Sequence, residues 1–207
     1  FSSKLKDETR DKVSKNNIKN CIVHSYNSAP RDHYLNDAYN DEDIYEILSR
    51  DIEPFEKIDY EFIVLDEIQD MTKAHYKYLM KFIKDMNIKP VFLIIGDVDQ
   101  SIFQFKGADS RYLTMCDQLE FQGEFIKKTL TKTFRLTKHM VSFINEAVYG
   151  YTKYTSLSKI EKPKPVTYVK CDSYDDEGLF KFLVDKIKDY DINEVYTLLG
   201  IEAARQL

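Results

Sequence analysis

The 207-residue chain has few cysteines, few glycines and no tryptophan. Its three cysteines lie far apart and form no Cys-x-x-Cys pair, so the sequence predicts neither a disulfide framework nor a zinc knuckle. None of the six glycines belongs to a G-x-x-x-x-G-K-S/T loop, so a complete P-loop is absent from these residues. No apolar run approaches the roughly 20 residues that cross a bilayer. We therefore expect a soluble, intracellular protein with reduced cysteines and no membrane partner.

The charge balance is mildly acidic. With 35 acidic and 30 basic residues, the formal net charge is −5. This argues against a protein that coats nucleic acid by bulk electrostatics, because such affinity grows with the number of phosphates neutralised. Two basic stretches occur at residues 4–15 and 127–138, and on charge alone a solvent-exposed face explains both. Any contact with nucleic acid is therefore expected to be local.

Apolar runs alternate with helical patterns along the chain, which predicts an α/β fold with a mainly parallel sheet. Runs 62–65 and 91–95 are too continuous for half-exposed strands, so we expect both to be buried. Residues 27–61 are polar and acidic, and we expect an insertion or connector outside the core. The predicted strands are residues 20–26, 62–65, 91–95, 129–133, 166–169 and 195–199. The predicted helices are residues 3–14, 73–86, 137–149 and 178–188, with a short one after Asp109 or Ser110.

Polar side chains follow two of these strands at the points where the strands end. Asp66 and Glu67 come directly after the first run, and Gln100 lies in the turn after the second. One carboxylate could hold Mg²⁺ while the other takes a proton from water. An amide beyond a tight turn can sense a γ-phosphate or orient the attacking water, as in nucleoside triphosphatases. Taken alone, an acidic pair at a strand end can equally do no more than solvate the turn.

Two further segments allow both a structural and a functional interpretation. Phe103, Phe105 and Lys106 lie in a polar, glycine-containing loop, where the aromatics either join the core or form a stacking platform for unpaired bases. Arg135 follows Phe134 at a predicted strand end. It could form a surface salt bridge, or it could reach an active site as an arginine finger.

Taken jointly, these segments resemble the UvrD/Rep-like branch of superfamily 1 DNA helicases. Residues 66–70 (DEIQD) look like that family's DExQD Walker B motif, and residues 96–109 (GDVDQSIFQFKGAD) resemble its GDxxQSIYxFRGAD motif. Residues 133–135 (TFR) are similar to its N-Y-R element, and residues 23–26 (VHSY) to its T-x-H-S-F element. Residues 1–10 look like its F-T-N-K-A-A-x-E-M-R segment. The five motifs occur in the order that the family uses.

The resemblance implies a RecA-like parallel sheet flanked by helices, the P-loop NTPase fold, which would be incomplete here. Residues 1–127 would form most of the first RecA-like domain, with 27–61 as its small insertion, and residues 128–207 would begin the second. It further implies ATP and Mg²⁺ as cofactors, and single-stranded DNA or a single/double-strand junction as partner. Because the P-loop and the later motifs are absent, we expect an interior fragment of a translocating helicase that does not hydrolyse ATP alone.

The resemblance also implies roles for individual residues. Asp66 would coordinate Mg²⁺, Glu67 would be the general base, and Gln100 would contact the γ-phosphate and couple it to DNA. From the second domain, Arg135 would be the arginine finger and Phe134 would lie beside the adenine. The residues implied along the single-strand path are Phe1, His24, Phe103, Phe105 and Lys106.

Two departures and two alternatives accompany the resemblance. Phe105 and Lys106 stand where many members have tryptophan and arginine, which leaves stacking and a point charge but removes bidentate hydrogen bonding. A non-catalytic helicase-like module that binds DNA or a partner protein is the main alternative. A receiver domain also ends buried strands in aspartates, but the order of its acceptor and lysine residues fits this chain poorly.

Overall fold

A computed structural model of the chain describes residues 3–121 and 123–160, together with positions 166, 178, 181, 182 and 185. The chain divides into two compact units, Phe1–Lys127 and Lys128–Leu207. Their assignment to two RecA-like domains stays a prediction. Several predictions fall on residues outside the described ones: Phe1, Cys171, the strand at 195–199, the strand at 166–169 except for its first residue, and most of the helix at 178–188.

The first unit is built from short helices around a pair of parallel strands. Its helices and strands are, in chain order, α1 (Ser3–Lys15), α2 (Ser28–His33), α3 (Asp41–Ser49), β1 (Phe62–Leu65), α4 (Lys73–Met86), β2 (Val91–Ile94) and α5 (Arg111–Thr114). Short 3₁₀ turns are Ile68–Asp70, Val98–Gln100, Gln104–Lys106 and Cys116–Gln118. The predicted α/β architecture is therefore present here, while the complete RecA-like fold stays a prediction.

Strands β1 and β2 pair in parallel, with Phe62 opposite Val91 and Leu65 opposite Ile94. Helix α4 makes the crossover between them, as a parallel pair requires. The helix begins after Thr72, whose hydroxyl oxygen accepts the N–H of the third helical residue in a capping box. Both predicted strands and the predicted helix between them are thus confirmed.

The prediction that both faces of these strands are buried is wrong. One face packs into the core of the first unit through Leu65 and its neighbours. On the other face Phe62 is 66% exposed, and Val64, Val91 and Leu93 are exposed as well. Nothing among the described residues covers this second face, although parallel sheets are normally covered on both sides.

The prediction that residues 27–61 lie outside the core is also wrong. Tyr34, Ile44 and Ile47 are almost fully buried in one cluster with the apolar face of α4. Ile44 and Ile47 are three residues apart on α3, so both point to one side of that helix. The polar composition of the segment concealed this narrow apolar stripe.

The strand predicted at residues 20–26 is not present. The segment is irregular, and the Arg10 side chain anchors it, with Nε donating to the carbonyl of Val23 at 3.0 Å. A β-prone run becomes a strand only when a neighbouring strand pairs with it, and no described residue does so. Cys21 is exposed and Cys116 is buried, and both are free thiols.

The second unit contains β3 (Lys132–Thr133), α6 (Lys138–Phe143) and β4 (Thr155–Ser156), with β3 and β4 paired in parallel. The strand predicted at 129–133 is therefore shorter than expected. The helix predicted at 137–149 is present, but its second half, Ile144–Tyr149, is wound as a π-helix. Among the described residues, no helix has the length and apolarity needed to cross a bilayer.

Candidate nucleotide and nucleic-acid site

The two strand ends of the first unit lie side by side. Beyond the paired strands, the N–H of Ile95 donates to the carbonyl of Leu65 at 2.8 Å, and the N–H of Ile68 donates to the carbonyl of Ile95 at 3.1 Å. These bonds extend the ladder past β1 and β2. The polar residues after each strand therefore meet at one edge of the sheet, as in other parallel α/β sheets.

Glu67 occupies a turn with an uncommon backbone conformation. Its φ of 53° and ψ of 42° lie in the left-handed region, which a residue with a side chain rarely adopts. The Oδ1 of Asp66 accepts the N–H of Glu67 at 3.0 Å and so holds this turn. Strained backbone of this kind concentrates at functional sites. Asp66 is exposed at the edge, and Glu67 is half-buried.

Gln69 connects the two strand ends. Its side chain is buried, with 2% of the residue exposed. Its Nε2 donates to Oε2 of Glu67 at 2.7 Å, and its Oε1 accepts the backbone N–H of Asp97 at 3.0 Å. Sequence analysis placed this glutamine inside a motif but assigned it no role, because its contacts depend on which residues of β1 and β2 lie opposite each other.

Asp97 in turn holds Gln100. The Nε2 of Gln100 donates to Oδ2 of Asp97 at 2.8 Å, and Oδ1 of Asp97 accepts the N–H of Asp99 at 3.1 Å. Gln100 itself is exposed at the end of a 3₁₀ turn. The structure thus brings Asp66, Glu67 and Gln100, all singled out from the sequence, to one edge of the sheet.

The surroundings of the carboxyl groups at this edge disfavour their ionised form. Although Asp66 is exposed at the edge, partial desolvation of its carboxyl group, followed by the negative charge of Glu67, raises its pKa. Partial desolvation, followed by the charge of Glu67, also raises the pKa of Asp70. Oδ1 of Asp70 is buried and has no hydrogen-bond partner among the described residues. A cation bound at this edge would favour the ionised form of both carboxyl groups and could interact with the unpartnered oxygen.

The donor set suits one kind of metal better than others. Among the described residues there is no group of three or more histidine, cysteine or acidic side chains that could enclose a metal ion. Mg²⁺ does not need such a cage, because in nucleotide sites it is bound by one or two carboxylates together with phosphate oxygens and water. The exposed carboxylate of Asp66 therefore fits Mg²⁺ accompanied by a nucleotide.

The loop after Gln100 presents aromatic rings to solvent. Phe105 is 79% exposed and Phe103 is 36% exposed, and neither ring belongs to a hydrophobic core cluster of the described residues. Their ring centroids are 6.3 Å apart, and Nζ of Lys106 lies 5.4 Å and 5.7 Å from the two centroids. Gly107, with φ of 85°, ends this turn in the left-handed conformation that favours glycine.

This loop is fastened to the strand-end edge. The backbones of Thr72 and Ala108 form an antiparallel bridge, and the N–H of Asp109 donates to the carbonyl of Met71 at 3.0 Å. Both contacts tie the end of the loop to the segment that follows residues 66–70. Backbone hydrogen bonds within the first unit therefore connect the loop with the exposed rings to the acidic edge.

His24 lies elsewhere in the first unit, against α2. Its Nδ1 is 3.1 Å from Oδ2 of Asp32, and its ring meets the edge of the His33 ring with centroids 5.0 Å apart. Burial, followed by the charge of His33, lowers the pKa of His24. These contacts make His24 part of the packing around α2, and its implied role toward single strands stays a prediction.

Phe134 and Arg135 belong to the second unit, directly after β3. Phe134 is largely exposed, and Arg135 is exposed as well. Arg135 forms no ion pair with any residue that the structure describes, which removes the surface salt bridge as an explanation within that part of the chain. The roles of both residues toward a nucleotide stay predictions.

Comparison with known proteins identifies the family. The family model described as UvrD/REP helicase N-terminal domain matches residues 10–119, which is just over half of the chain. The chain therefore belongs to the UvrD/REP helicase family, as its motifs predicted. The match includes the acidic edge and the aromatic loop, whereas Phe134 and Arg135 lie beyond it.

Two curated relatives are similar over part of the chain. The RecBCD enzyme subunit RecB of Haemophilus influenzae is 35% identical over 91 residues, which are 43% of this chain and 7% of that protein. An ATP-dependent helicase/nuclease subunit of Natranaerobius thermophilus is 28% identical over 133 residues, 61% of this chain and 10% of that protein. The chain thus covers a tenth or less of the length of these relatives.

Proposed function

We propose that this chain is part of an ATP-dependent DNA helicase that couples ATP hydrolysis to movement along single-stranded DNA and to duplex unwinding. The observation that carries the proposal is the continuous set of hydrogen bonds from Glu67 through Gln69 and Asp97 to Gln100. It joins a candidate general base to a candidate phosphate sensor at one sheet edge, in a member of a helicase family.

Each residue at the edge then has a defined task. Mg²⁺, when bound with the nucleotide, would neutralise charge on the phosphate oxygens. Asp66 would hold that ion through its exposed carboxylate. Glu67 would accept the proton of the attacking water, and Gln100 would contact the γ-phosphate. The resemblance assigns the roles of arginine finger and adenine neighbour to Arg135 and Phe134, which lie in the second unit.

The exposed aromatic loop provides the proposed grip on DNA. Phe103 and Phe105 offer faces on which unpaired bases can stack, and Lys106 adds a positive charge beside both rings. Such a local contact agrees with a chain whose net charge is −5. Because Phe103 follows Gln100 by only three residues, a shift of the glutamine toward a phosphate would also displace the stacking surface.

The phosphate cradle has to come from outside these 207 residues, because they contain no P-loop sequence. Two observations support a larger protein: an apolar face of β1 and β2 that no described residue covers, and relatives of which the chain covers a tenth or less. The missing P-loop also favours a second candidate, a helicase-like module that binds DNA or a partner protein without hydrolysing ATP.

ATP hydrolysis by the full-length gene product separates the two candidates. We expect phosphate release that single-stranded DNA stimulates, together with displacement of one strand from a tailed duplex. We expect the 207-residue chain alone to release no measurable phosphate. DNA binding by the full-length protein without hydrolysis would contradict the helicase proposal and support the non-catalytic module.

A further inference from the structure

Gln69 lies between the two strand ends, and the nitrogen and the oxygen of its side-chain amide each make one hydrogen bond. We propose that Gln69 is a positioning residue that couples the carboxylate of Glu67 to the loop that carries Gln100. The proposal rests on the proposed function only where it concerns hydrolysis. The coupling itself is a property of the folded chain and can be measured without ATP.

The partners of Gln69 fix the orientation of its amide. The carboxylate of Glu67 only accepts hydrogen bonds, and the backbone N–H of Asp97 only donates. With Nε2 toward Glu67 and Oε1 toward Asp97, both contacts are satisfied, at 2.7 Å and 3.0 Å. A flipped amide would place oxygen against oxygen and N–H against N–H. Because the side chain is also buried, it has one favourable arrangement.

Gly96 allows this arrangement by leaving room for it. A Cβ atom at residue 96 would lie 2.6 Å from Oε1 of Gln69 and 3.1 Å from Cδ2 of Leu113. The first distance is shorter than a real carbon–oxygen contact, so an alanine there would push the amide away from Asp97. The glycine two residues after β2 therefore leaves the space that Oε1 of Gln69 occupies.

The hydrogen bonds form one path between two functional side chains. Glu67, in its left-handed turn, is held by Gln69, and Gln69 holds the backbone of Asp97. Asp97 holds the amide of Gln100 at 2.8 Å. A movement of Gln100 toward a phosphate would therefore reach Glu67 through a single buried amide. Because the Gln69 side chain is buried and its amide faces Glu67 and Asp97, its proposed effect on the reaction acts through these neighbours.

The first test uses the 207-residue chain and nuclear magnetic resonance. In Gln69→Met the amide hydrogen of Asp97 should exchange with solvent about fivefold faster, the factor that corresponds to one ordinary hydrogen bond. Gly96→Ala should produce the same change by displacing Oε1. Gln118→Met, at an exposed glutamine outside the path, is the matched control and should leave this exchange rate unchanged.

The same spectra test transmission along the path. Glu67→Ala should shift the side-chain amide resonance of Gln100 in the presence of Gln69, and this shift should vanish in the Gln69→Met background. The proposal is overturned if Asp97 exchanges at the wild-type rate in Gln69→Met, or if Gln100 responds to Glu67→Ala equally in both backgrounds. Should Gln69→Met fail to fold, Gly96→Ala takes its place in both measurements, the exchange rate of the Asp97 amide and the response of Gln100 to Glu67→Ala.

The second test uses the full-length protein. Gln69→Met should lower kcat for DNA-stimulated ATP hydrolysis about 10- to 100-fold, as expected for a displaced catalytic group. The KM for ATP should stay within about twofold, because the amide is buried and bonded to Glu67 and Asp97. A merely structural role would lower the folded fraction without this split. An unchanged kcat overturns the inference, whereas a wild-type protein without ATP hydrolysis refutes the proposed function and leaves the resonance result standing.

Discussion

Replacing Phe105 with alanine tests the proposed grip on single-stranded DNA. The ring is 79% exposed, so its removal takes little away from the core of the first unit. Its stacking on one base is worth about 1 to 3 kcal/mol, which corresponds to a loss of affinity of roughly 5- to 150-fold. Lys106 lies 5.7 Å from this ring and would remain to contact the phosphates, so binding should weaken without disappearing.

Fluorescence anisotropy with a labelled oligothymidine, at fixed salt, measures this loss. Phe55→Ala is the matched control, because Phe55 is also an exposed aromatic of the first unit but lies outside the loop. It should leave the affinity unchanged. Urea unfolding should give Phe105→Ala a stability within about 0.5 kcal/mol of the wild type. Wild-type affinity in a folded Phe105→Ala protein would refute the stacking role.

Three further predictions concern stability. Ile47→Ala should lower the free energy of unfolding in urea by about 2 to 5 kcal/mol, because Ile47 is fully buried. Tyr45→Ala, at an exposed residue of the same helix, should change it little, and equal effects of the two substitutions would contradict the burial of one face of α3. Lys81→Met should cost about 3 kcal/mol, since it removes the ammonium group 2.9 Å from the nearly buried Asp85 carboxylate and leaves that carboxylate with the Tyr34 hydroxyl; a neutral result would contradict this. Burial lowers the pKa of His75 and of two other histidines of this unit, so the folded state binds fewer protons than the unfolded state near pH 6. The urea midpoint should therefore fall as the pH is lowered from 7.5 to 5.5, through the unfolded pKa of about 6.5. A urea midpoint that does not change over this pH range would contradict the prediction that these histidines are buried in their neutral form.

Local signals were sufficient to predict the part of the fold around β1, α4 and β2. Each strand is a short apolar run that ends in polar residues, and Thr72 is an N-cap that marks the start of α4. Because parallel neighbours align their carboxyl ends, the meeting of Asp66 and Gln100 at one edge could also be expected from the sequence. The motif order then led to the family that comparison confirms.

What sequence reasoning missed depends on contacts between distant segments. The burial of Ile44 and Ile47 follows from packing on α4, which the acidic composition around them does not reveal. The absence of a strand at residues 20–26 follows from the lack of a pairing neighbour among the described residues. The contacts of Gln69 depend on how β1 lies against β2, so its role could be found only once the two strand ends were seen together.

The central claim is that Glu67 acts as the base for ATP hydrolysis at an edge it shares with Gln100. Glu67→Gln in the full-length protein tests it most directly, because the amide keeps the size of the side chain but cannot accept the proton. We expect phosphate release to fall at least about 100-fold, while binding of a fluorescent ATP analogue in the presence of Mg²⁺ stays at the wild-type level. Near-normal turnover by Glu67→Gln would contradict the account.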